Sequence, residues 1–417
     1  MATNLIKAEL VAARIEQLSR HGRVGPTGVT RRVYDPQWVA ANDTLEQWMR
    51  AAGLETRRDA VGNLWGTLRG TEAGPSIVSG SHVDSQAPGG QYDGALGIIA
   101  ALTAIEALVR HYGKPTRTLE VVSLCEEEGS RFSAASFWGS RAILGLISAT
   151  DPETVRGYTD ESIGNAMREI GLDPALIPTA KRDDIDIFIE LHIEQGPILE
   201  HENLPVAVVT AITGYRHYIV EVSGEANHAG AFPMHLRRDP MATTAAMITE
   251  LIGNATAMGA PAVTTIGRLD VDPNYPAIIP ERVTFMIDAR HPDPALRQEL
   301  YRRHEATLDR FAAESGVAVT YRHNKDLPPK ACDPDIVDLI DQVATDLQIP
   351  HRRMTSGAVH DTQRFAQFAR TAMIFVQSRG GRSHTPEEFT ATEHAVLGTE
   401  VLAETLHRLA YKGASRG

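Results

Sequence analysis

The 417-residue chain has only two cysteines, Cys125 and Cys332. Two thiols in such a length exclude a disulfide framework and fit a reducing compartment. Positive charge is also short: 41 lysines and arginines stand against 53 aspartates and glutamates, a formal net charge of −12. Nucleic acid and anionic membranes need a basic face, so neither is expected as a partner. No apolar run approaches the roughly 18 residues that span a bilayer. The opening residues, Met1 to Leu10, lack the basic segment and apolar core of a secretory signal. Together these absences predict a cytoplasmic protein. Internal repeats and low-complexity tracts are missing too. What is present is an ordinary globular composition, 42% hydrophobic and 23% charged, with 16 histidines. At this length two domains are expected.

Residues 1–60 read as helical, with Ala40 to Ala52 amphipathic and stopped by Gly53. Val61 to Gly70 alternates as a strand, and Ser76 to Ser81 is a second, more apolar one. Ala95 to His111 follows as a long apolar-periodic helix, and Leu119 to Cys125 as a buried strand. Asp151 to Asp184 is polar and helical in pattern, and Ile185 begins another strand. Strands alternating with helices imply a mixed, largely parallel α/β sheet, whose ligands gather at the carboxyl ends of the strands.

The texture changes after Tyr215. Strand (His217 to Ser223), helix (Asp239 to Met258), strands (Val263 to Val271 and Arg282 to Arg290), helix (Pro294 to Ser315) and strand (Val317 to Arg322) make a ferredoxin-like βαββαβ unit. The α/β character then returns, with a helix at Ile336 to Leu347, a strand at Ala372 to Val376 and a closing helix at Glu393 to Tyr411. The simplest account is a discontinuous catalytic domain, residues 1–212 and 329–417, with residues 213–328 inserted as a second domain.

Polar residues collect where the apolar strands end. Gly80-Ser-His-Val-Asp-Ser brings His82 and Asp84 to a strand end, and a Gly-rich turn places Asp93 before the next helix. Glu126, Glu127 and Glu128 follow a buried strand and precede Gly129. His192 and Glu194 close another strand, and His384 lies in a late polar segment. A pair of divalent ions sharing a carboxylate needs about five such ligands and room for water. The plainer reading of a His-X-Asp is a surface pair, and of three glutamates a solvated turn. Cys125 ends an apolar strand and reads as buried packing rather than a nucleophile. Ser81 and Ser85 flank His82, but a metal-activated water makes a serine nucleophile unnecessary.

Gly80-Ser-His-Val-Asp-Ser, Tyr92-Asp-Gly-Ala-Leu-Gly, Glu126-Glu-Glu-Gly-Ser-Arg-Phe, Glu190-Leu-His-Ile-Glu-Gln-Gly-Pro, Asn227-His-Ala-Gly and Ser356-Gly-Ala-Val-His-Asp resemble the hydantoinase/carbamoylase family of binuclear amidohydrolases. That family includes N-carbamoyl-L-amino-acid hydrolases, allantoate amidohydrolases and yeast-type β-alanine synthases, within the aminoacylase and carboxypeptidase superfamily. The motifs run in the family's order over nearly the whole chain.

The resemblance implies roles. His82 and His192 would hold one ion, Glu128 and His384 the other, and Asp93 would bridge them. Asp84 would accept a hydrogen bond from His82 and fix its tautomer; its plainer reading is a turn cap. Glu127 would be the general base, a choice over Glu126 that rests on the family pattern. The ions would be zinc or manganese, with cobalt or nickel as substitutes in vitro, since imidazole and carboxylate ligands suit them all. The inserted domain would be a lid and the interface of a homodimer.

On the substrate side, His228 would stabilise the oxyanion, from the same protomer or its partner, and Arg290 would grip the substrate carboxylate bidentately. Gln195 and Gly357 would be polar contacts near the scissile group. Two positions depart from the family. Ala277 stands where members commonly carry Asn, with Asn274 upstream as a substitute donor, and His217 stands where allantoate-type members tend to have Arg. The chemistry is therefore expected intact and the pocket altered. The expected substrate is a small molecule, foremost an N-carbamoyl-L-amino acid, with allantoate or other ureido acids and N-acyl or dipeptide-like compounds as alternatives. A catalytically dead binding protein is the reading from another class; the complete ligand set argues against it.

Overall fold

A computed structural model of the chain describes residues 5–411. The first four residues of the expected 1–60 helical stretch, and of the N-terminal segment read for a secretory signal, lie outside this range. The chain divides into two compact units. One comprises residues 1–210, 331–354 and 360–417, the other residues 211–330 and 355–359.

The first unit is built on a nine-stranded mixed sheet. Its centre is four parallel strands in the order Arg370–Val376, Ile185–Ile193, Ser76–His82 and Leu119–Leu124. Antiparallel strands extend both sides, Val206–Ile212 beyond Arg370–Val376, and Leu64–Leu68 then Glu55–Arg58 beyond Leu119–Leu124. The four central strands are almost wholly buried and correspondingly rich in Val, Ile and Leu, as a sheet covered on both faces requires. On one face Val78, Val122, Leu124 and Phe188 pack with Ile143 and Phe365. Phe188 and Phe365 stack with ring centroids 4.0 Å apart.

Helix Ala95–Tyr112 packs on the sheet as well. Its 18 residues have a mean hydropathy of 1.4. This corrects the expectation that no apolar run reaches spanning length. Every residue from Ala95 to Glu106 is buried, so the apolar length is spent on the core. Two further corrections concern strands. Residues 55–58 are a strand rather than part of a helical stretch, and Val206–Ile212 and His351–Ser356 were not foreseen.

The second unit is a four-stranded antiparallel sheet in the order Val263–Asp272, Arg282–His291, Gly214–Ser223, Ala318–Leu327. Helices Pro240–Met258 and Pro294–Glu314 cover it. This is the ferredoxin-like βαββαβ arrangement. Both helices begin with an Asp cap followed by Pro at the first helical position, a combination that satisfies free N–H groups and presets φ. Asp239 accepts from the N–H of Met241 across 2.9 Å, and Asp293 from Ala295 across 2.8 Å. Tyr218, Val220, Phe285, Ile287, Met247 and Leu308 form the centre of this unit's own core.

Candidate metal centre and active site

The parallel strands deliver their polar ends to one edge of the sheet. His82 is the last residue of Ser76–His82, and His192 is next to last in Ile185–Ile193. Glu126 to Glu128 leave the end of Leu119–Leu124, and His384 follows Arg370–Val376. Asp93 precedes helix Ala95–Tyr112 across Gly94, whose φ of +61° is left-handed. A Cβ on Gly94 would also stand 2.5 Å from the His82 ring, so only glycine fits between them. Glu126, Gln195 and His384 hold positive φ angles of 52°, 58° and 57° without being glycine. Such backbone persists where surrounding structure enforces it, and it clusters at functional sites.

Three groups of potential ligands result, one of them the buried Glu190, His192 and His360; the other two, His82, Asp93 and His192, and Asp93, Glu128 and His384, share Asp93. Asp93 serves each with a different oxygen. Oδ1 lies 3.5 Å from His82 Nε2 and 3.2 Å from His192 Nε2, whereas Oδ2 lies 3.5 Å from His384 Nε2. His384 Nε2 is also 3.5 Å from Glu128 Oε2. His82 Nδ1 and His192 Nδ1 donate to the carbonyls of Asp84 and Ile193 across 3.0 and 2.9 Å. Those bonds put the proton on Nδ1 and leave each Nε2 lone pair facing Asp93, the tautomer a cation requires. The Gly94 N–H lies 3.2 Å from His192 Nε2 and shares that lone pair.

The charges fit a cation as well. Burial, reinforced by Asp93, pushes the Glu128 carboxyl up to about 7. Glu127 is raised well above the ordinary range, chiefly by burial, against the pull of His82. Burial disfavours a charged His82, but Asp93, Glu127 and Asp84 outweigh it and raise its pKa. Crowded buried carboxylates need protons or cations between them. Glu128 Oε1 is buried with no hydrogen-bond partner among the described residues, a donor atom with capacity to spare. His384 is half exposed while Asp93 is buried, so the cluster meets solvent at His384.

The three glutamates have distinct surroundings. Glu126 Oε1 accepts from the N–H groups of Phe132 and Arg131 across 2.8 and 3.2 Å and so caps a turn. Glu127 Oε2 lies 3.9 Å from His82 Nε2, beside the ligand groups. The two carboxylates are thus differently placed, Glu126 toward backbone N–H groups and Glu127 toward His82. Asp84 requires a correction. Its carbonyl, not its carboxylate, accepts from His82; the carboxylate Oδ1 is 3.9 Å away. Asp84 Oδ2 accepts instead from the Glu128 N–H across 3.1 Å, fixing a ligand's backbone. Gln195 Nε2 donates to Asp93 Oδ2 across 2.8 Å. Cys125 is buried with its thiol against Tyr34, 3.3 Å away, and Cys332 is buried too. Ser81 is committed to Glu190 across 2.6 Å.

In the second unit, His228 Nδ1 accepts from the N–H groups of Gly230 and Ala231, each at 3.1 Å. That fixes the proton on Nε2, which is exposed and able to donate. Arg290 gives Nε and Nη2 to Asp288, and Nη1 to the Gly357 carbonyl across 3.0 Å. His217 Nε2 lies 3.0 Å from Asp288 Oδ2. Ala277 contributes a carbonyl to Ala229, and Asn274 is exposed with a positive φ of 53°.

Sequence reasoning missed Asp288, two residues before Arg290 on the same strand and on the same face, a spacing that could have revealed it. It also missed His360, whose ring meets that of His192 at 4.6 Å, and Ser383 and Glu388 behind Asp93.

The sequence of residues 82–408 matches the family described as Peptidase family M20/M25/M40. An allantoate amidohydrolase of Bacillus subtilis is 37% identical over 398 residues, 95% of this chain and 96% of that protein. An N-carbamoyl-L-amino-acid amidohydrolase of Paenarthrobacter aurescens is 38% identical over 412 residues, 98% of this chain and 100% of the other. Among solved structures, a hydantoinase/carbamoylase family amidase of Burkholderia multivorans superposes with a TM-score of 0.89 at 31% identity, over 96% of this chain and 97% of that one. With matches spanning both units, the chain belongs to Peptidase family M20/M25/M40 and, within it, to the metal-dependent amidohydrolases of the hydantoinase/carbamoylase family.

Proposed function

We propose that the enzyme hydrolyses the linear carbamoyl amide bond of N-carbamoyl-L-amino acids with two divalent cations, zinc or manganese. The carrying observation is Asp93, which turns Oδ1 to His82 and His192 and Oδ2 to His384. Bound in the two groups, the cations would supply Lewis acidity to the scissile carbonyl and to water. Glu127 takes the proton from the attacking water and returns it to the leaving nitrogen; a buried carboxylate with a raised pKa suits both transfers. His228 donates Nε2–H to the carbonyl oxygen as it gains charge. Arg290 takes the substrate carboxylate. Of its five N–H groups three are committed, to Asp288 twice and to Gly357, which leaves two for a bidentate grip. Asp84 and Gln195 hold Glu128 and Asp93 in place. The ferredoxin-like unit serves as lid and homodimer interface, and the enzyme works in the cytoplasm.

A second reading, allantoate or another ureido acid, draws on relatives named allantoate amidohydrolase at 37% and 38% identity. His217, where allantoate-type members tend to have Arg, favours the first, and Ala277, where family members commonly carry Asn, marks an altered pocket. The deciding experiment loads the chain with manganese or zinc and assays N-carbamoyl, N-formyl, N-acetyl and ureido acids for ammonia and free amine. The proposal expects both products, fastest from N-carbamoyl-L-amino acids. Faster turnover of allantoate would establish the second reading, and amine without ammonia from N-acyl acids would overturn both.

A further inference from the structure

Glu388 is buried behind the potential ligand groups and belongs to none of them. Its Oε1 accepts from the backbone N–H of Tyr92 across 2.8 Å and of Asp93 across 3.0 Å. Its Oε2 lies 3.0 Å from Ser383 Oγ, and that hydroxyl lies 2.6 Å from Asp93 Oδ2. Glu388 therefore holds Asp93 directly at the backbone, and the Ser383 hydroxyl, with one proton to donate, stands between the two side chains.

Gly90 shows that the chain makes room for it. A Cβ at Gly90 would stand 2.1 Å from Glu388 Oε1 and 2.4 Å from its Cβ, and its three nearest neighbours would all be Glu388 atoms. Gly90 is not left-handed, so its backbone would accept alanine. What forbids the methyl group is the Glu388 side chain, its carboxylate and its Cβ together.

We propose that Glu388 is a positioning residue that locks the orientation of Asp93, so that each Asp93 oxygen faces its own ligand group. The inference rests on the reading of Asp93 as the shared ligand. The lever is geometric: released from Glu388 and Ser383, Asp93 can rotate and offer both oxygens to one side. Groups that orient a ligand from behind typically contribute 10- to 100-fold in metal affinity.

The test strips the full chain with a chelator and titrates it with manganese or zinc, reading stoichiometry and affinity. Cobalt absorption serves as a second readout of coordination. Glu388→Ala should weaken binding about 10- to 100-fold. Glu388→Gln should stay within about threefold of the native chain, because its amide oxygen still accepts from Tyr92 and Asp93 while its NH₂ donates to Ser383. Gly90→Ala should reproduce the Glu388→Ala defect.

Native affinity and stoichiometry in Glu388→Ala would overturn the proposal. If Glu388→Ala does not fold, Ser383→Ala and Gly90→Ala carry the test, and native affinity in both overturns it. A native chain that takes up no divalent cation overturns the ligand reading and this inference with it. A native chain that binds while the variants bind equally overturns this inference alone.

Discussion

Asp288 holds Arg290 by both of its oxygens, with Nε on Oδ1 and Nη2 on Oδ2, each across 2.8 Å. Burial alone would raise the Asp288 carboxyl. Arg290 and His217 outweigh it and hold the group well below the ordinary carboxylate range. Because the folded pKa is depressed, the pairing contributes fully above the unfolded value of about 3.9 and is lost only as pH falls further. The pair therefore persists throughout the working range of a neutral-pH enzyme. Asp288→Ala removes both anchors and leaves Arg290 tied to Gly357 alone. The expected result is a KM raised roughly tenfold, with kcat held within about threefold, since charged hydrogen bonds of this kind carry about 1.5–3 kcal/mol. Steady-state kinetics check it, and an unchanged KM would dissociate Arg290 from the substrate carboxylate.

Glu127 and Glu126 separate by experiment. Glu127→Gln should keep its metal, by elemental analysis, and lose about 10²- to 10⁴-fold in kcat, the usual contribution of a general base. Glu126→Gln should act through stability, because Glu126 caps Phe132 and Arg131. Near-native turnover in Glu127→Gln would remove it from the mechanism.

His304 makes the second unit sensitive to acid. It is buried, with Nε2 2.9 Å from Thr264 Oγ1 and Nδ1 3.4 Å from the Asn254 amide nitrogen, and burial lowers its pKa to about 4. The unfolded chain protonates at about 6.5, so between 6.5 and 4 the unfolded state binds the extra proton and stability falls with pH. The full loss is roughly 3 kcal/mol. Chemical denaturation of the whole chain at pH 7 and pH 4.5 should show that loss in the native protein, and a correspondingly smaller one in His304→Gln. Equal losses would clear His304.

The candidate site was legible because its members stand where apolar strands end or an apolar helix begins. His82, Asp93, Glu128, His192 and His384 could be read as polar residues at strand and helix ends, and the family motifs assigned them. The ferredoxin-like unit was legible from the change of texture after Tyr215 and from the order of its strands and helices. What escaped is what depends on pairing across the fold. Glu388 meets Asp93 from nearly three hundred residues away in sequence. Asp84 looked like a partner for an imidazole, yet its carbonyl takes that role while its carboxylate serves Glu128. Val206–Ile212 was passed over because a short apolar run names no structure until its neighbours in the sheet are known.

Helix Ala95–Tyr112 starts two residues after Asp93 and is buried without a break through its first twelve residues. Core helices of this kind exchange their amide hydrogens only through openings close to global unfolding, whereas exposed loops open at little cost. Asp93 is thus attached to a slow-exchanging part of the chain, while His228, Asn274 and Ala277 sit on exposed backbone. On heating, these exposed segments would let go first, and the Asp93 carboxylate would keep its place until the fold itself was lost.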